Sequence, residues 1–290
     1  MDWIFFAFLT AILVAASAIT QKKALFKEHA MEFSATLAIL SLIVAAPLFI
    51  SIRWENLEIF TLFILFFASI FAALAFLMIA KAMRHMEVSD TSPLLVMTPA
   101  FTALFAFIFL GESITWIQVG GLVLLIAGSY VLELKRESGI LGPFILFKKS
   151  KYIKFIFLAM MLYGLTATID RLLLGTYKMQ PEAYIAFFHL FVAIQFLIMI
   201  WAFYDGLKGV KNGLKNAGWW ILIVALFTVG YRLAQSFAIS EAKVALVSAI
   251  KRTSALFAVV IGGELFHEAN ILRKAIACLI MLAGVFMIVI

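Results

Sequence analysis

The sequence predicts an all-α integral membrane protein with ten transmembrane helices in two inverted five-helix repeats. Three observations predict this fold class. The 290 residues are 65% hydrophobic and only 13% charged, whereas a soluble domain is about half apolar and about a quarter charged. The apolar residues form ten runs long enough to cross a bilayer. The two halves of the chain also carry the same short motifs at the same spacing.

The ten apolar runs follow one another along the whole chain. Crossing the hydrocarbon core takes about 20 mainly apolar residues. The expected segments are 3–20, 33–52, 58–80, 92–111, 116–132, 154–174, 181–202, 218–238, 244–263 and 271–290. We expect helices because unpaired backbone groups are prohibitive in lipid, and because a barrel would need strands of about ten residues with alternating polarity.

The two halves of the chain carry similar motifs, and each motif lies near the end of its half. The sequence FTALFA at 101–106 precedes Leu110-Gly111-Glu112, and TSALFA at 253–258 precedes Gly262-Gly263-Glu264 at the same offset. Ala-Gly follows in each closing segment. The expected organisation is a first repeat over 1–134, a connecting cytoplasmic loop over 135–153 and a second repeat over 154–290. Chance similarity among apolar runs is the alternative.

Inverted topology follows from the number of segments in each repeat. Since five is odd, the second copy must insert in the opposite direction to the first. Inverted repeats in secondary transporters place the substrate near the bilayer midplane, between the two halves.

The basic residues predict the orientation in the membrane. Sixteen of the 23 Lys and Arg residues lie in connections after odd-numbered segments, and four lie in connections after even-numbered ones. Cytoplasmic loops carry the excess of Lys and Arg. We therefore expect a multi-pass protein of the plasma or inner membrane, with odd-numbered connections in the cytoplasm and both termini outside.

With these motifs the chain resembles the drug/metabolite transporter superfamily, specifically ten-helix proteins made of two EamA domains. The residues that carry the resemblance are the two Gly-Glu ends, at Glu112 and Glu264, Pro99 in the fourth segment, and Gly128 and Gly284 in the closing segments. The resemblance implies inverted-repeat transport of amino acids, nucleotide sugars, drugs or other small metabolites, often as export or exchange. It also implies cytoplasmic termini, opposite to the charge distribution.

Charged residues at membrane depth are the candidate chemistry. Lys251 and Arg252 fall near the centre of the ninth segment, Arg232 lies within the eighth, His189 within the seventh, and Asp170 near the end of the sixth. A charge at mid-bilayer costs about 3 kcal/mol on insertion scales, so it faces a cavity or a partner. The candidate substrate-binding residues are Arg232, Arg252, Lys251, His189, Tyr163, Thr166, Gln235 and Ser248.

Two interpretations of these charges remain open. Three cations against one carboxylate predict a cavity that accepts a carboxylate or phosphate, because Arg offers a two-pronged donor to either. The alternative is a buried ion pair that holds helices together, for example Asp170 with Arg232 or Arg252. Lys251 points to another face of its helix, where snorkelling towards water or a helix contact is equally compatible.

The remaining polar features are weaker candidates. Glu112, Glu264 and Asp170 are candidates for coupling or ion pairing, but for the two glutamates a capping role at the start of the following helix is favoured. Pro99 predicts a helix break or kink. We expect no catalytic residue, metal site or cofactor, because no motif for them is present, and no nucleic-acid partner, because the basic residues are scattered among short connections.

The function predicted from the sequence is secondary active transport of a small organic metabolite by alternating access. The solute is expected to be anionic or zwitterionic, such as an amino acid or an organic or phosphorylated acid. The alternative is a lipid or lipid-phosphate translocase of the same fold, and a membrane-embedded enzyme fits less well. Expected partners are the solute, the bilayer and a coupling species (a proton or an exchanged solute), with the chain as a monomer or homodimer.

Overall fold

The computed structural model describes residues 3–25, 30–85, 95, 98–133, 151–204, 206–254 and 271–289. These ranges are helical, joined by short turns, and contain no strand. The ten helices described are α1 (Trp3–Leu25), α2 (Ala30–Ala45), α3 (Ile59–His85), α4 (Thr98–Leu110), α5 (Trp116–Glu133), α6 (Lys151–Arg171), α7 (Pro181–Phe203), α8 (Leu207–Glu241), α9 (Val244–Lys251) and α10 (Ile271–Val289).

The outer surface of the bundle is apolar. Six helical segments within the described ranges are long and apolar enough to cross a membrane. Trp54, Trp116 and Trp201 are exposed at or near helix ends, and Trp219 is exposed inside α8, where the apolar part of that helix begins. Exposed Trp at both ends of the spans is the pattern of side chains that anchor a protein at the membrane–water interfaces. The bundle therefore presents its surface to lipid.

The helices of one half pack mainly on helices of the other half. α1 packs on α8 and α3 on α6; α2 packs on α7, α4 on α9, and α5 on α10. The counterpart of α1 in the second repeat is α6, and the counterpart of α3 is α8. When every helix is replaced by its counterpart, the pair α1–α8 becomes the pair α6–α3, and the other three pairs stay the same. The fold therefore has an internal pseudo-two-fold relation between oppositely inserted repeats.

Small residues allow α5 and α10 to touch backbone to backbone. A Cβ atom on Gly284 would lie 2.7 Å from the carbonyl oxygen of Gly121 and 2.8 Å from the amide nitrogen of Leu125. A Cβ atom on Gly128 would lie 3.0 Å from the carbonyl oxygen of Ala277. Close approach at small residues is the usual way that helices pack tightly in membranes.

Helix α8 is longer than the sequence predicts. Its apolar part is expected at 218–238, but the helix begins at Leu207 and runs through 35 residues. Buried Gly209, Gly213 and Ala217 recur every four residues on one face of the added turns and pack against α2. Tertiary packing, rather than hydrophobicity, extends the helix.

Two helices end sooner than expected. α6 gives way to a π-helical turn at Leu172–Thr176. α9 ends at Lys251, and the next two residues, Arg252 and Thr253, form a turn in which each amide donates to the carbonyl three residues earlier. The helix expected to be continuous over 244–263 is therefore interrupted at Arg252 and Thr253, and Ser254 is helical again.

Candidate functional site

Four helix ends converge on one side of the bundle. We call this side, where α1 begins, the terminal face, and the opposite side the basic face. Near the terminal face α6 and α8 end and α7 and α9 begin. Their polar side chains form one buried group, which we call the polar cluster: Asp170, Tyr184, His189, Arg232, Gln235 and Lys251.

A small cavity lies within the polar cluster. Its volume is about 10 Å³, which is about the space that one water molecule needs. The residues that line it are Asp170, Leu174, Tyr184, Arg232, Gln235, Ser236 and Ile239. Helices α6, α7 and α8 therefore bring a carboxylate and a guanidinium to the same cavity, as their positions in the sequence predict.

Several polar atoms of the cluster are buried without a hydrogen-bond partner. Among the described residues these include Oδ1 of Asp170, the hydroxyl of Tyr184, Nε2 of His189 and Nε of Arg232. Asp170 is 6% exposed, and within the same ranges no ion pair joins it to Arg232. Buried polar groups are normally hydrogen-bonded. The unused bonding capacity of four neighbouring side chains marks this cluster as the candidate site.

The two cations of the cluster have other contacts. The guanidinium carbon of Arg232 lies 3.7 Å from the ring centroid of Phe188, in a cation–π arrangement. Nζ of Lys251 donates a hydrogen bond of 2.9 Å to Oε1 of Gln235 and lies 5.0 Å from the ring centroid of Tyr231. Lys251 thus makes a helix contact with α8 instead of extending towards water.

The other candidate residues lie around the cluster. Tyr163 is in the electrostatic surroundings of Arg232 and Arg252. The hydroxyl of Thr166 donates to the carbonyl oxygen of Leu162 on its own helix, at 2.8 Å. Ser248 is buried on α9 but does not line the cavity. Arg252 is half-buried in the turn after α9 and makes contacts of its own.

Glu112 has an ion-pair partner that the sequence does not reveal. Nε of Arg171 lies 2.7 Å from Oε1 of Glu112. The same guanidinium donates to the carbonyl oxygens of Ile239 and Ser240, at 2.7 and 3.2 Å. This interaction joins the ends of α4, α6 and α8 at the terminal face. Gly111, with φ of +65°, ends α4 and turns the chain so that Glu112 reaches it.

Glu112 does not cap α5, and the packing part of the capping and packing role expected for it stays a prediction. Thr115 and Gln118 cap α5 instead: the amide of Gln118 donates to the Thr115 hydroxyl at 3.3 Å, and the amide of Thr115 donates to Oε1 of Gln118 at 3.2 Å. This is the reciprocal capping box of a Thr followed three residues later by Gln. The sequence carries that motif, which is the local signal that distinguishes the true cap.

Two further candidates have different outcomes. Pro99 is buried in the first turn of the described part of α4, where a missing amide hydrogen removes no helical bond. Residues 96 and 97 lie outside the described residues, so the helix break or kink expected at Pro99 stays a prediction. Glu264 lies outside the described residues.

A second cavity, of about 190 Å³, lies between α4 and α9 at the terminal face. Its lining consists of Ala103, Ala106, Phe107, Glu112, Ser113, Ile114 and Ala245. The side chain of Lys243 donates to the carbonyl oxygen of Ser113 across the same helix ends. Oε2 of Glu112 is buried without a hydrogen-bond partner among the described residues, so the lining of this cavity has one such atom, whereas the polar cluster has four.

Sequence reasoning missed Tyr184 and Phe188. The ring of Phe188 supports Arg232, and the Tyr184 hydroxyl faces both Asp170 and Arg232. The two aromatic residues are four positions apart on α7, so they share a helix face. That spacing is the only sequence signal for them, and it is common in apolar helices.

Fold and site together define a polytopic, all-helical membrane protein with an internal repeat and a buried polar cluster in its second half. The model of the EamA-like transporter family matches residues 1–134 and again residues 150–290. The chain belongs to the EamA-like transporter family. The predicted fold class, ten transmembrane helices in two inverted five-helix repeats, is confirmed.

The overall fold also occurs in a solved structure. A chain described as "Crystal structure of protein" superposes with a TM-score of 0.75 at 14% sequence identity, over 99% of this chain and 96% of that chain. At this identity the likeness concerns the fold alone. None of the curated proteins matches the chain in sequence.

Proposed function

We propose that this member of the EamA-like transporter family is a secondary active transporter of a small organic solute with a carboxylate or phosphate group. The observation that carries the proposal is Arg232, whose guanidinium lines a buried cavity with its Nε unpaired. A guanidinium binds carboxylate and phosphate with two parallel hydrogen bonds. An anionic or zwitterionic solute, such as an amino acid or an organic or phosphorylated acid, would use this capacity.

The size of the cavity supports alternating access. About 10 Å³ next to Arg232 holds a water molecule but no metabolite. A solute can therefore reach Arg232 only after helices move. The Glu112–Arg171 salt bridge joins three helix ends at the terminal face, so separation of these ends would open the cluster on that side.

The internal symmetry supplies a second conformation. The repeats are inverted, and each main contact between helices has an equivalent when every helix is replaced by its counterpart in the other repeat. The packing that closes the terminal face therefore has a counterpart at the basic face. Inverted-repeat transporters move one bundle against the other around a fixed site near the midplane. The proposed mechanism alternates between these two arrangements, with the solute held at Arg232.

The proposed orientation places the basic face in the cytoplasm of a plasma or inner membrane. The support is the excess of Lys and Arg in the odd-numbered connections. Lys208, Lys211 and Lys215 on the extended start of α8 are exposed at this face.

Solute counterflow in proteoliposomes tests the proposed function. The purified chain is reconstituted and loaded in turn with unlabelled amino acids, organic acids, sugar phosphates and nucleotide sugars, and uptake of the labelled compound is measured. Loss of a hydrogen bond to a charged group costs about 1.5–3 kcal/mol, so Arg232→Ala should slow exchange by about 10- to 100-fold. Arg252→Ala should also slow exchange strongly. Lys208→Ala, an exposed cation on the same helix as Arg232, is the matched control.

The alternative function is translocation of a lipid phosphate, which the same guanidinium would recognise. The cavity between α4 and α9 gives this alternative its support, because it is bordered by Phe107, whose side chain is 62% exposed on the outer surface. The alternative would be established by two results together. A fluorescent anionic phospholipid would move between leaflets, more slowly in Arg232→Ala, and no soluble compound would be exchanged. Wild-type exchange by Arg232→Ala would exclude Arg232 as the solute-binding residue.

A further inference from the structure

Glu112 and Asp170, two acidic side chains near the terminal face, have different surroundings. Oε1 of Glu112 forms an ion pair with Nε of Arg171 at 2.7 Å, while its Oε2 has no hydrogen-bond partner among the described residues. Asp170, the residue next to Arg171, is 6% exposed, and its Oδ1 accepts no hydrogen bond from any described residue. Arg232 and Lys251 attract a negative charge on Asp170, but a carboxylate without a direct ion pair remains costly at membrane depth.

The charged and titratable groups around Asp170 come from α7, α8 and α9. α7 contributes Tyr184, α8 contributes Arg232 and α9 contributes Lys251. Lys251 is hydrogen-bonded to Gln235, and Arg232 stacks on the Phe188 ring. Further members of the group, Tyr163, His189, Tyr231 and Arg252, surround these cations. The cations attract a negative charge on Asp170, and among the described residues neither of them forms an ion pair with it.

We propose that Asp170 is a proton-binding site that controls whether the transported anion can bind Arg232. The step transfers one proton from a hydronium ion to an oxygen of the Asp170 carboxylate. One O–H bond of the hydronium ion breaks, one O–H bond of the neutral carboxylic acid forms, and a water molecule is left. The water-sized cavity beside Asp170 is large enough for the water molecule that delivers the proton, and it is too small for a metabolite. This inference rests on the proposed transport function and adds its coupling ion.

Protonation of Asp170 changes the charge balance at Arg232. With Asp170 ionised, its negative charge offsets the guanidinium and repels an incoming anion across the shared cavity. With Asp170 neutral, the positive charges of Arg232 and Lys251 are available to an anion. Proton and anion therefore favour each other's binding, and by thermodynamic reciprocity each raises the affinity of the other by the same factor. The two are carried together.

Two other assignments make different predictions. Asp170 could instead bind the ammonium group of a zwitterion. Its substitution would then slow the exchange of amine-containing compounds at every pH. His189, which is 3% exposed with an unpaired Nε2, could hold the proton instead. Asp170 is favoured because it lines the cavity, whereas His189 does not.

Infrared difference spectroscopy tests proton binding without a solute. The full chain is reconstituted in vesicles of phosphatidylethanolamine and phosphatidylglycerol, and spectra in acidic and alkaline buffer are subtracted. The wild type should show the carbonyl band of a buried protonated carboxyl group. Asp170→Asn should abolish that band, and Asp170→Glu should shift it. Glu112→Gln, the same carboxyl-to-amide change at the paired site, should leave it in place. A band that persists in Asp170→Asn overturns the proposal.

Counterflow at different pH values tests the coupling. Typical coupling free energies correspond to changes of about fivefold or more, so wild-type exchange should be faster in acid by at least that factor. In Asp170→Asn the rate should no longer vary with pH. A rate that still varies with pH in Asp170→Asn, or that becomes flat in His189→Gln alone, overturns the proposal. If the wild type exchanges no compound of the panel, the proposed transport function fails, while the infrared result still decides whether Asp170 binds the proton.

Discussion

The contact between α5 and α10 gives a sharp prediction for the variant Gly284→Ala. The added Cβ would lie 2.7 Å from the Gly121 carbonyl oxygen and 2.8 Å from the Leu125 amide nitrogen. Ordinary contact begins near 3.4 Å, so the two helices must separate locally by roughly 0.7 Å. The obstructing atoms belong to the backbone, which cannot rotate away as a side chain does.

The expected loss of stability combines two opposing effects. Forcing an extra methyl group into a packed interior costs about 1–3 kcal/mol. Replacing Gly by Ala inside a helix gains about 0.5–1 kcal/mol. The net expectation is a loss of about 1–2 kcal/mol in the free energy of unfolding. At about 2–4 °C per kcal/mol for a chain of this order of size, the midpoint should fall by about 4 °C.

Thermal unfolding in detergent micelles, followed by circular dichroism, measures this change. Gly218→Ala on α8 is the matched control, because its Cβ would meet only the Leu214 side chain at 3.8 Å. The control should be as stable as the wild type or more stable by up to about 1 kcal/mol. If Gly284→Ala matches or exceeds the control in stability, the close backbone contact between α5 and α10 is not present in the folded protein.

Two more predictions concern the terminal face and the orientation. Glu112→Gln and Arg171→Gln should each lower the free energy of unfolding by about 2 kcal/mol, and the double variant should lose little more than the larger single loss; fully additive losses would show that the two side chains do not interact. In a Cys278→Ser background, a membrane-impermeant maleimide added to intact cells should label Ile290→Cys and not Ser138→Cys. The reverse pattern would place the termini in the cytoplasm.

The helical membrane fold could be predicted because bilayer physics leaves few choices. A run of about 20 apolar residues has to be a helix when no water can satisfy its backbone, and ten such runs occur. Helix ends are governed by other forces. α8 continues to Leu207 because Gly209 and Gly213 pack against α2, and this contact joins segments that are far apart in sequence.

The polar cluster was predictable in part. Asp170, Arg232 and Gln235 stand out because charged and amide side chains are rare at membrane depth, and all three line the same cavity. Tyr184 gives no comparable signal because aromatic residues are common in this chain. The pairing of Glu112 with Arg171 depends on how α4 and α6 pack, and neither helix alone indicates it.

The packing of α1 on α8 has a consequence for the order of events during synthesis. The contacting face of α1 includes Phe6, which stacks on Phe237, and Thr10, whose hydroxyl donates to the carbonyl oxygen of Tyr231. Roughly 180 residues separate the end of α1 from the start of α8, and at about 5–20 residues per second a ribosome needs about 10–40 s to make them. Throughout that interval the first helix must stay in the bilayer without its native neighbour. The face of α1 that later packs on α8 is then covered by lipid or by the insertion machinery, so α1 reaches its final position only after α8 has been made.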